Sequence, residues 1–332
     1  MLTPLSAVIG QNKAKNFLIS SFTNEKMSHA YLFKGPTGVG KKMLARAFAA
    51  LINCTSLQNG EACCSCPSCK KFSSGNHPDL HTIEPQGAGI KIDQIRQLQK
   101  DLAYPPFEAR TRVIILPDIH DTMRRPEVAN SLLKTLEEPP PDTLLILTGD
   151  EAGGILPTIL SRCQLVPFSP LSYQEVADLL APHVDQSQAL TLAAVAEGSP
   201  GRALLLHSMG LLGLRLGMID TLTHLDPESS EAVEAVYGLA AQAADLKENL
   251  NDLLDLFATW LRDLLLLTLQ NSGQLINHDL AGLLEQGRHL WHHSGLLTAL
   301  DHIGQARRQL LRNCNRTLVC EVLFFALLRE KC

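Results

Sequence analysis

Residues 31–42 read YLFKGPTGVGKK, and this stretch decides the fold. Tyr31 to Lys34 is a short apolar run of strand character, and Gly35-Pro-Thr-Gly38-Val-Gly40-Lys41-Lys42 leads from it into a helical pattern spanning Lys41 to Ile52. A glycine-rich loop between strand and helix wraps backbone amides around phosphates at the helix N-terminus, and its lysine reaches the terminal phosphates. The next position ordinarily carries serine or threonine, whose hydroxyl ligates magnesium; here it is Lys42, whose ammonium would repel a cation. On the loop alone, a working nucleotide site and a loop that keeps its shape without turnover both remain open.

Outward from the loop, short apolar runs alternate with helical patterns. Strands are predicted at Tyr31 to Lys34, Leu80 to Ile83, Arg112 to Leu116, Leu144 to Thr148 and Leu165 to Phe168. Helices are predicted at Lys13 to Phe22, Lys41 to Ile52, Asp93 to Tyr104 and Glu127 to Glu138, the last stopped by Pro139, Pro140 and Pro141. This is the βαβ signature of an α/β fold with a largely parallel sheet. At the end of Val113-Ile-Ile-Leu116, where an acidic residue would hold magnesium, stands Pro117. Asp118 follows, either a solvated strand-end carboxylate or a residue placed to polarise water.

From Ser169 onward every periodic segment is helical, which sets a domain boundary near residue 168. Ser172 to His207 forms a small helical block, and Gly210, Gly213 and Gly217 predict weakly helical chain beyond it. The remainder is Leu-rich helix, with Leu250, Leu253, Leu254, Phe257, Leu261 and Leu264 at steps of three and four. The expected division is 1–168, 169–210 and 211–332.

Composition narrows the function classes. The chain has 332 residues, 45% of them hydrophobic and 19% charged, which excludes disorder and low-complexity scaffolds. A formal charge of -5 argues against a generally basic nucleic-acid binder. The most apolar run, Leu264 to Leu269, is too short for a membrane span, and MLTPLSAVIGQNK has no charged region ahead of an apolar core. The expected compartment is the cytoplasm.

Cys54, Cys63, Cys66 and Cys69 are spaced C-x8-C-x2-C-x2-C. Four thiolates at this spacing can surround one structural zinc and leave no coordination site for water. They predict a zinc module of about 54–69 inserted in the first domain. Cys64 is a fifth candidate that spacing does not exclude. Cys314, Cys320 and Cys332 receive no functional assignment.

Arg162, in Leu160-Ser-Arg-Cys163, falls between the fourth and fifth strands, on the sheet's C-terminal edge or its flank, where a neighbouring subunit's nucleotide could be reached. An arginine supplied across an interface can stabilise charge on a transferring phosphoryl group. A plain solvated arginine is the alternative, and the same choice applies to Arg202 in Gly198-Ser-Pro-Gly201-Arg202. Arg307, Arg308, Arg312 and Arg316 predict a solvated basic helical face.

Taken in order, Val8-Ile-Gly-Gln11, His29-Ala-Tyr-Leu-Phe33 with the GPTGVGKK loop, the four cysteines, His77-Pro-Asp-Leu80, Asn130-Ser-Leu-Leu-Lys-Thr-Leu-Glu-Glu-Pro139 and Leu156-Pro-Thr-Ile-Leu-Ser-Arg-Cys163 resemble the bacterial clamp-loader AAA+ family. The resemblance covers roughly the first two hundred residues. It implies a RecA-like AAA+ domain, a small helical lid and an all-α C-terminal collar that holds subunits in a ring. It also implies that Gly35, Gly38, Gly40 and Lys41 form a nucleotide site with Thr148 and Arg202 as sensors. In the motif Ser161-Arg162-Cys163, Arg162 with Ser161 would act in trans on ATP and magnesium held by the neighbour. The threonine of the loop and the first acid after the third strand do not match.

That combination reads as a stator-type subunit that lends an arginine but does not turn over ATP itself. Its implied partners are gamma/tau ATPase subunits, a delta subunit, the sliding clamp and primer-template DNA. The rival within the family is an active gamma/tau-type motor. A freestanding P-loop phosphotransferase would need a catalytic base that is not found. A cysteine-finger DNA-binding module would need more basic and aromatic residues than Lys70, Lys71 and Phe72.

Overall fold

The computed structural model describes residues 4–87, 89–123, 125–150, 154–270 and 275–331; Cys332 and residues 271–274 of the C-terminal region lie outside them. The chain forms two compact units, Met1–Glu175 with Ser199–Gly201, and Val176–Gly198 with Arg202–Cys332.

The first unit is built on five strands, β1 (Ala30–Lys34), β2 (Leu80–Thr82), β3 (Arg112–Leu116), β4 (Thr143–Gly149) and β5 (Gln164–Pro167). All pair in parallel, in the order β2-β3-β4-β1-β5. Its helices are α1 (Asn12–Thr23), α2 (Lys41–Ile52), α3 (Pro67–Ser74), α4 (Ile92–Asp101), α5 (Ile119–Thr122), α6 (Pro126–Glu137) and α7 (Pro157–Leu160). Parallel neighbours need crossover connections, and helices on both faces bury the strands. Every residue of β3 and β4 is accordingly buried. Ile95 and Leu98 of α4 and Leu132 and Leu136 of α6 pack with Ile114, Leu116, Leu145 and Leu147 in one core. The alanine-rich α2 buries Leu44, Ala45, Phe48, Ala49 and Leu51.

The sequence limits of β3 and α2 are met residue for residue, whereas α6 stops at Glu137, because the residue before a proline is disfavoured in helix. The expectation had no helix at α3, in the cysteine segment, where Pro67 occupies the first helical turn.

Beyond β5 every element is helical, as expected: α8 (Tyr173–Leu180), α9 (Gln186–Val195), α10 (Pro200–Ser208), α11 (Leu211–His224), α12 (Glu231–Ala244), α13 (Leu250–Thr268), α14 (Ala281–Gly287), α15 (His293–Leu311) and α16 (Arg316–Arg329). Contrary to expectation, Gly213 and Gly217 lie inside the continuous helix α11, and only Gly210 punctuates the chain, as its N-cap with φ 64°. Burial of Leu211, Leu212, Met218, Ile219 and Leu222 outweighs the helix cost of about 1 kcal/mol per glycine.

The second unit's core gathers Phe257, Trp260, Trp291 and Phe324 with leucines of α13 and α16. The indoles of Trp260 and Trp291 meet edge to face at 5.9 Å. All six periodic positions from Leu250 to Leu264 named above are buried. Within this core Arg215 is fully buried and pairs with Asp279 and Asn277, while Asp263 accepts the amides of Ile276 and Asn277. The basic face expected from Arg307 to Arg316 is divided, since Arg307 and Arg308 lie on α15 and pair with Asp255 and Asp301, whereas Arg316 opens α16. Among the described residues no single helix is long and apolar enough to cross a membrane; α10 with α11 would pass by length and composition but is bent by 64°.

Candidate functional site

The loop after β1 begins at Gly35, whose amide donates to the carbonyl of Gly149 at 3.1 Å. A Cβ at Gly35 would stand 2.3 Å from the carbonyl oxygen of Phe168, so the close approach of the chain just after β5 requires glycine. Gly38 and Gly40 take φ of 79° and 97°, which open to glycine without strain, and Gly40 caps α2. The loop is also braced by residues 199–201. Ser199 Oγ donates to the Thr37 carbonyl at 2.8 Å and the Gly201 amide to the Gly38 carbonyl at 3.0 Å.

Lys41 is buried, and its ammonium donates to the carbonyls of Gly35 and Pro36 inside the loop. Burial pulls its pKa below the ordinary lysine value, while Asp118 and Asp150 push it back up. Lys42 turns elsewhere and pairs with Glu84, just past the end of β2. Neither Lys42 nor Pro117 offers an oxygen to magnesium from its side chain.

Asp118 is half-buried rather than a simple solvated carboxylate. With φ 48° and ψ 48°, it donates its amide to Thr148 Oγ1 at 2.9 Å, and that hydroxyl lies 3.4 Å from Asp118 Oδ1. Thr148 on β4 and Asp118 after β3 are therefore one hydrogen-bonded pair at the C-terminal edge of the sheet.

Arg162 lies beside the start of the outermost strand β5, at the opposite end of the sheet from the loop, so of the two placements expected from sequence the flank stands and the C-terminal edge is corrected. The chain leaves β4 at the C-terminal edge, runs back through α7 and reaches Arg162 before β5 begins at Gln164, in register with Tyr31 near the start of β1. The loop is at the far end of β1, so Arg162 cannot serve it. Its guanidinium donates to the Thr158 carbonyl at 2.9 Å and to Ser161 Oγ at 3.2 Å, and pairs with Glu137.

Arg202 pairs with Asp255 and lies 3.6 Å from Asp252. Burial raises the pKa of Asp252, reinforced by Asp255 and opposed by Arg202. Arg202 is thus committed to acids of α13 within its own unit.

The sulfurs of Cys54, Cys63, Cys66 and Cys69 all lie within 4.8 Å of one another. Zinc–sulfur bonds of about 2.3 Å place tetrahedral sulfurs about 3.8 Å apart, so the donor set fits one such ion with little adjustment. The amides of Cys63, Cys66 and Cys69 donate to the sulfurs of Cys54, Cys63 and Cys66 at 3.3, 3.2 and 3.4 Å. Burial opposes ionisation of Cys66, but hydrogen bonds from Thr55 and Cys69 outweigh it and bring its pKa to about 6. Cys64 stands outside this group, with its thiol against the Ala62 carbonyl, and burial raises its pKa.

The His77-Pro-Asp-Leu80 motif fastens the neighbouring loop. Asp79 is buried and accepts the amides of Phe107, Glu108 and Ala109 at 2.7, 2.8 and 2.8 Å. His77 stacks on Phe72 at 4.2 Å, so the aromatic beside the cysteines belongs to the packing. Sequence reasoning carried Asp79 and Glu137 inside motifs without giving either a partner, and it missed Glu84 and the pair Asp252 and Asp255. The pairings are long-range, and nothing local in the sequence signals them.

The family profile described as "DNA polymerase III, delta subunit" matches residues 10–172, and that described as "DNA polymerase III, delta subunit, C terminal" matches residues 211–328. DNA polymerase III subunit delta' of Pseudomonas aeruginosa is 31% identical over 313 residues, covering 89% of this chain and 90% of that protein. Subunit delta' of Bacillus subtilis is 40% identical over 171 residues, 51% of each chain. Subunit tau of Bacillus subtilis is 34% identical over 181 residues, 54% of this chain and 32% of that one. The chain thus spans about half of the first of these Bacillus proteins and a third of the second. The solved structure of a gamma subunit-related protein from Thermotoga maritima aligns with a TM-score of 0.50 at 19% identity, over 94% of this chain and 99% of that one, which is a likeness of fold. The sheet order, the glycine loop and the paired profiles lead to one assignment: the chain belongs to the delta-prime family of DNA polymerase III clamp-loader subunits.

Proposed function

We propose that this chain is the stator, the delta-prime subunit of a clamp loader that uses ATP to place the sliding clamp on primed DNA in the cytoplasm. Its partners in that reading are gamma/tau ATPase subunits and a delta subunit. The chain itself turns over no ATP, and Arg162, with Ser161 beside it, acts on the ATP of the neighbouring subunit. The observation that carries this reading is the pair of missing magnesium contacts: Lys42 is turned to Glu84, and Pro117 stands directly after β3 where a carboxylate is needed. The position of Arg162 at the edge opposite its own loop supports action in trans.

Cys54, Cys63, Cys66 and Cys69 would hold a structural zinc, which when bound cross-links the segment between α2 and α3. Gly35, Gly38, Gly40 and Lys41 keep the shape of a phosphate loop, with Thr148 nearby, so nucleotide could still be bound without turnover. Three helical and α/β domains, 1–168, 169–210 and 211–332, would correspond to the AAA+ domain, lid and oligomerising collar.

An active gamma/tau-type motor is the second reading, favoured by the intact glycines and the similarity to a tau subunit. Magnesium-dependent ATP hydrolysis separates the two. The stator reading requires none from the purified chain, and an Arg162→Ala chain should assemble normally yet lower DNA-stimulated turnover of the whole complex.

A further inference from the structure

The arginine at the sheet edge is not a bare side chain reaching into solvent. Thr158 and Ser161, in the α7 turn, take both hydrogens of one terminal nitrogen, and the carboxylate of Glu137, at the last turn of α6, takes the other terminal nitrogen. A guanidinium has five N–H donors in a rigid planar fork. Among the described residues these contacts leave Nε–H and one terminal hydrogen for an incoming anion. The two side chains are 33% and 48% exposed, so the pair is open to a neighbour.

The backbones that carry the pair are fixed by shared packing. Leu132 and Leu136 of α6 and Ile159 of α7 lie in one core, with Leu156 and Cys163 packed against it. His29 Nε2 bonds the carbonyl of Leu136 at 3.0 Å, and Pro139 to Pro141 stop the helix directly after Glu137 and Glu138. Glu137 therefore presents its carboxylate from a fixed point, on one flank of the fork.

We infer that Glu137 is a positioning residue for Arg162: it holds the guanidinium in one orientation at the sheet edge, ready for the γ-phosphate of a nucleotide on an adjoining subunit. The inference rests on the trans-acting reading of Arg162. A long side chain that is already ordered loses less freedom on engagement, and a charge placed correctly before reaction needs no rearrangement during it. Glu137 touches neither nucleotide nor metal in this scheme; it acts through Arg162 alone.

The test is a double-mutant cycle on the reconstituted clamp-loader complex, with assembly checked by gel filtration and DNA-stimulated turnover resolved into kcat and KM for ATP. Glu137→Ala should lower kcat about 3- to 30-fold with KM unchanged, and Glu137→Asp should restore part of the loss. Combined with Arg162→Ala, it should do no further harm. If Arg162→Ala lowers kcat while Glu137→Ala does not, the positioning role is wrong and the trans arginine stands. If Arg162→Ala has no effect, the underlying reading fails. A Glu137→Ala loss that adds fully to that of Arg162→Ala, or that appears in assembly or KM instead of kcat, overturns the positioning role.

Discussion

Lys42 forms an ion pair with Glu84, so the side chain at the magnesium-ligating position of the loop is engaged by an acid past the end of β2. Replacing it with the family's hydroxyl should not by itself create an ATPase. Lys42→Thr removes the repelling charge but leaves Pro117 where a carboxylate is needed. The expected result is no magnesium-dependent hydrolysis, and a stability change under about 1 kcal/mol, because the pair is half-exposed and screened by water. Steady turnover by this single variant would show that Pro117 is no obstacle.

The cysteine cage predicts one zinc per chain by elemental analysis of protein purified without chelator. Cys66→Ser should lose the metal and lower the melting temperature, because a missing ligand opens the cage and uncouples the Cys63 and Cys69 segments. Cys64→Ser should retain a full equivalent of zinc, since its sulfur lies outside the group. Loss of zinc from the Cys64 variant would reverse the ligand assignment.

Asp79 predicts a specific acid sensitivity. Burial works against its ionisation, but the amides of Glu108, Phe107 and Ala109, with Arg112, prevail and lower its pKa below the ordinary aspartate value. For a carboxylate depressed in the folded state, the stabilisation is present above the unfolded value of about 3.9 and is lost as pH falls through the folded value. Denaturation curves of the wild type should therefore lose stability below about pH 4, and Asp79→Ala should flatten that part of the profile. At neutral pH the same variant strands three amides and should cost about 3 kcal/mol or more. An unchanged acid limb would remove Asp79 from the account.

Arg215 predicts a large effect far from any nucleotide chemistry. Its side chain is fully buried against Asp279 and Asn277, so Arg215→Ala leaves buried acceptors and a charge without a partner. The expected loss is about 3 to 5 kcal/mol in urea denaturation. A loss under about 1 kcal/mol would mean that water replaces the guanidinium readily.

The sequence carried local information well and long-range information poorly. Apolar runs and proline stops placed β1, β3, α2 and α6 because each depends on its own residues. The four cysteines were legible because C-x2-C spacing itself sets ligand distances. Gly213 and Gly217 misled because tertiary burial of α11 overrides propensity. The choice between the C-terminal edge and the flank stayed open for Arg162 because α7, four residues long, is too short to show periodicity, and it reverses the chain before β5. The partnerships of Lys42 with Glu84 and Arg162 with Glu137 join residues 42 and 25 positions apart in sequence, and no periodic pattern encodes them.

In the stator reading this chain does not turn over ATP. This is tested most directly by magnesium-dependent ATP hydrolysis of the purified full chain, with Lys41→Ala as the control for contaminating activity. A stator should show no turnover above that control. Turnover by the wild type that Lys41→Ala abolishes would contradict the stator reading, and the chain would then be a motor subunit despite Lys42 and Pro117.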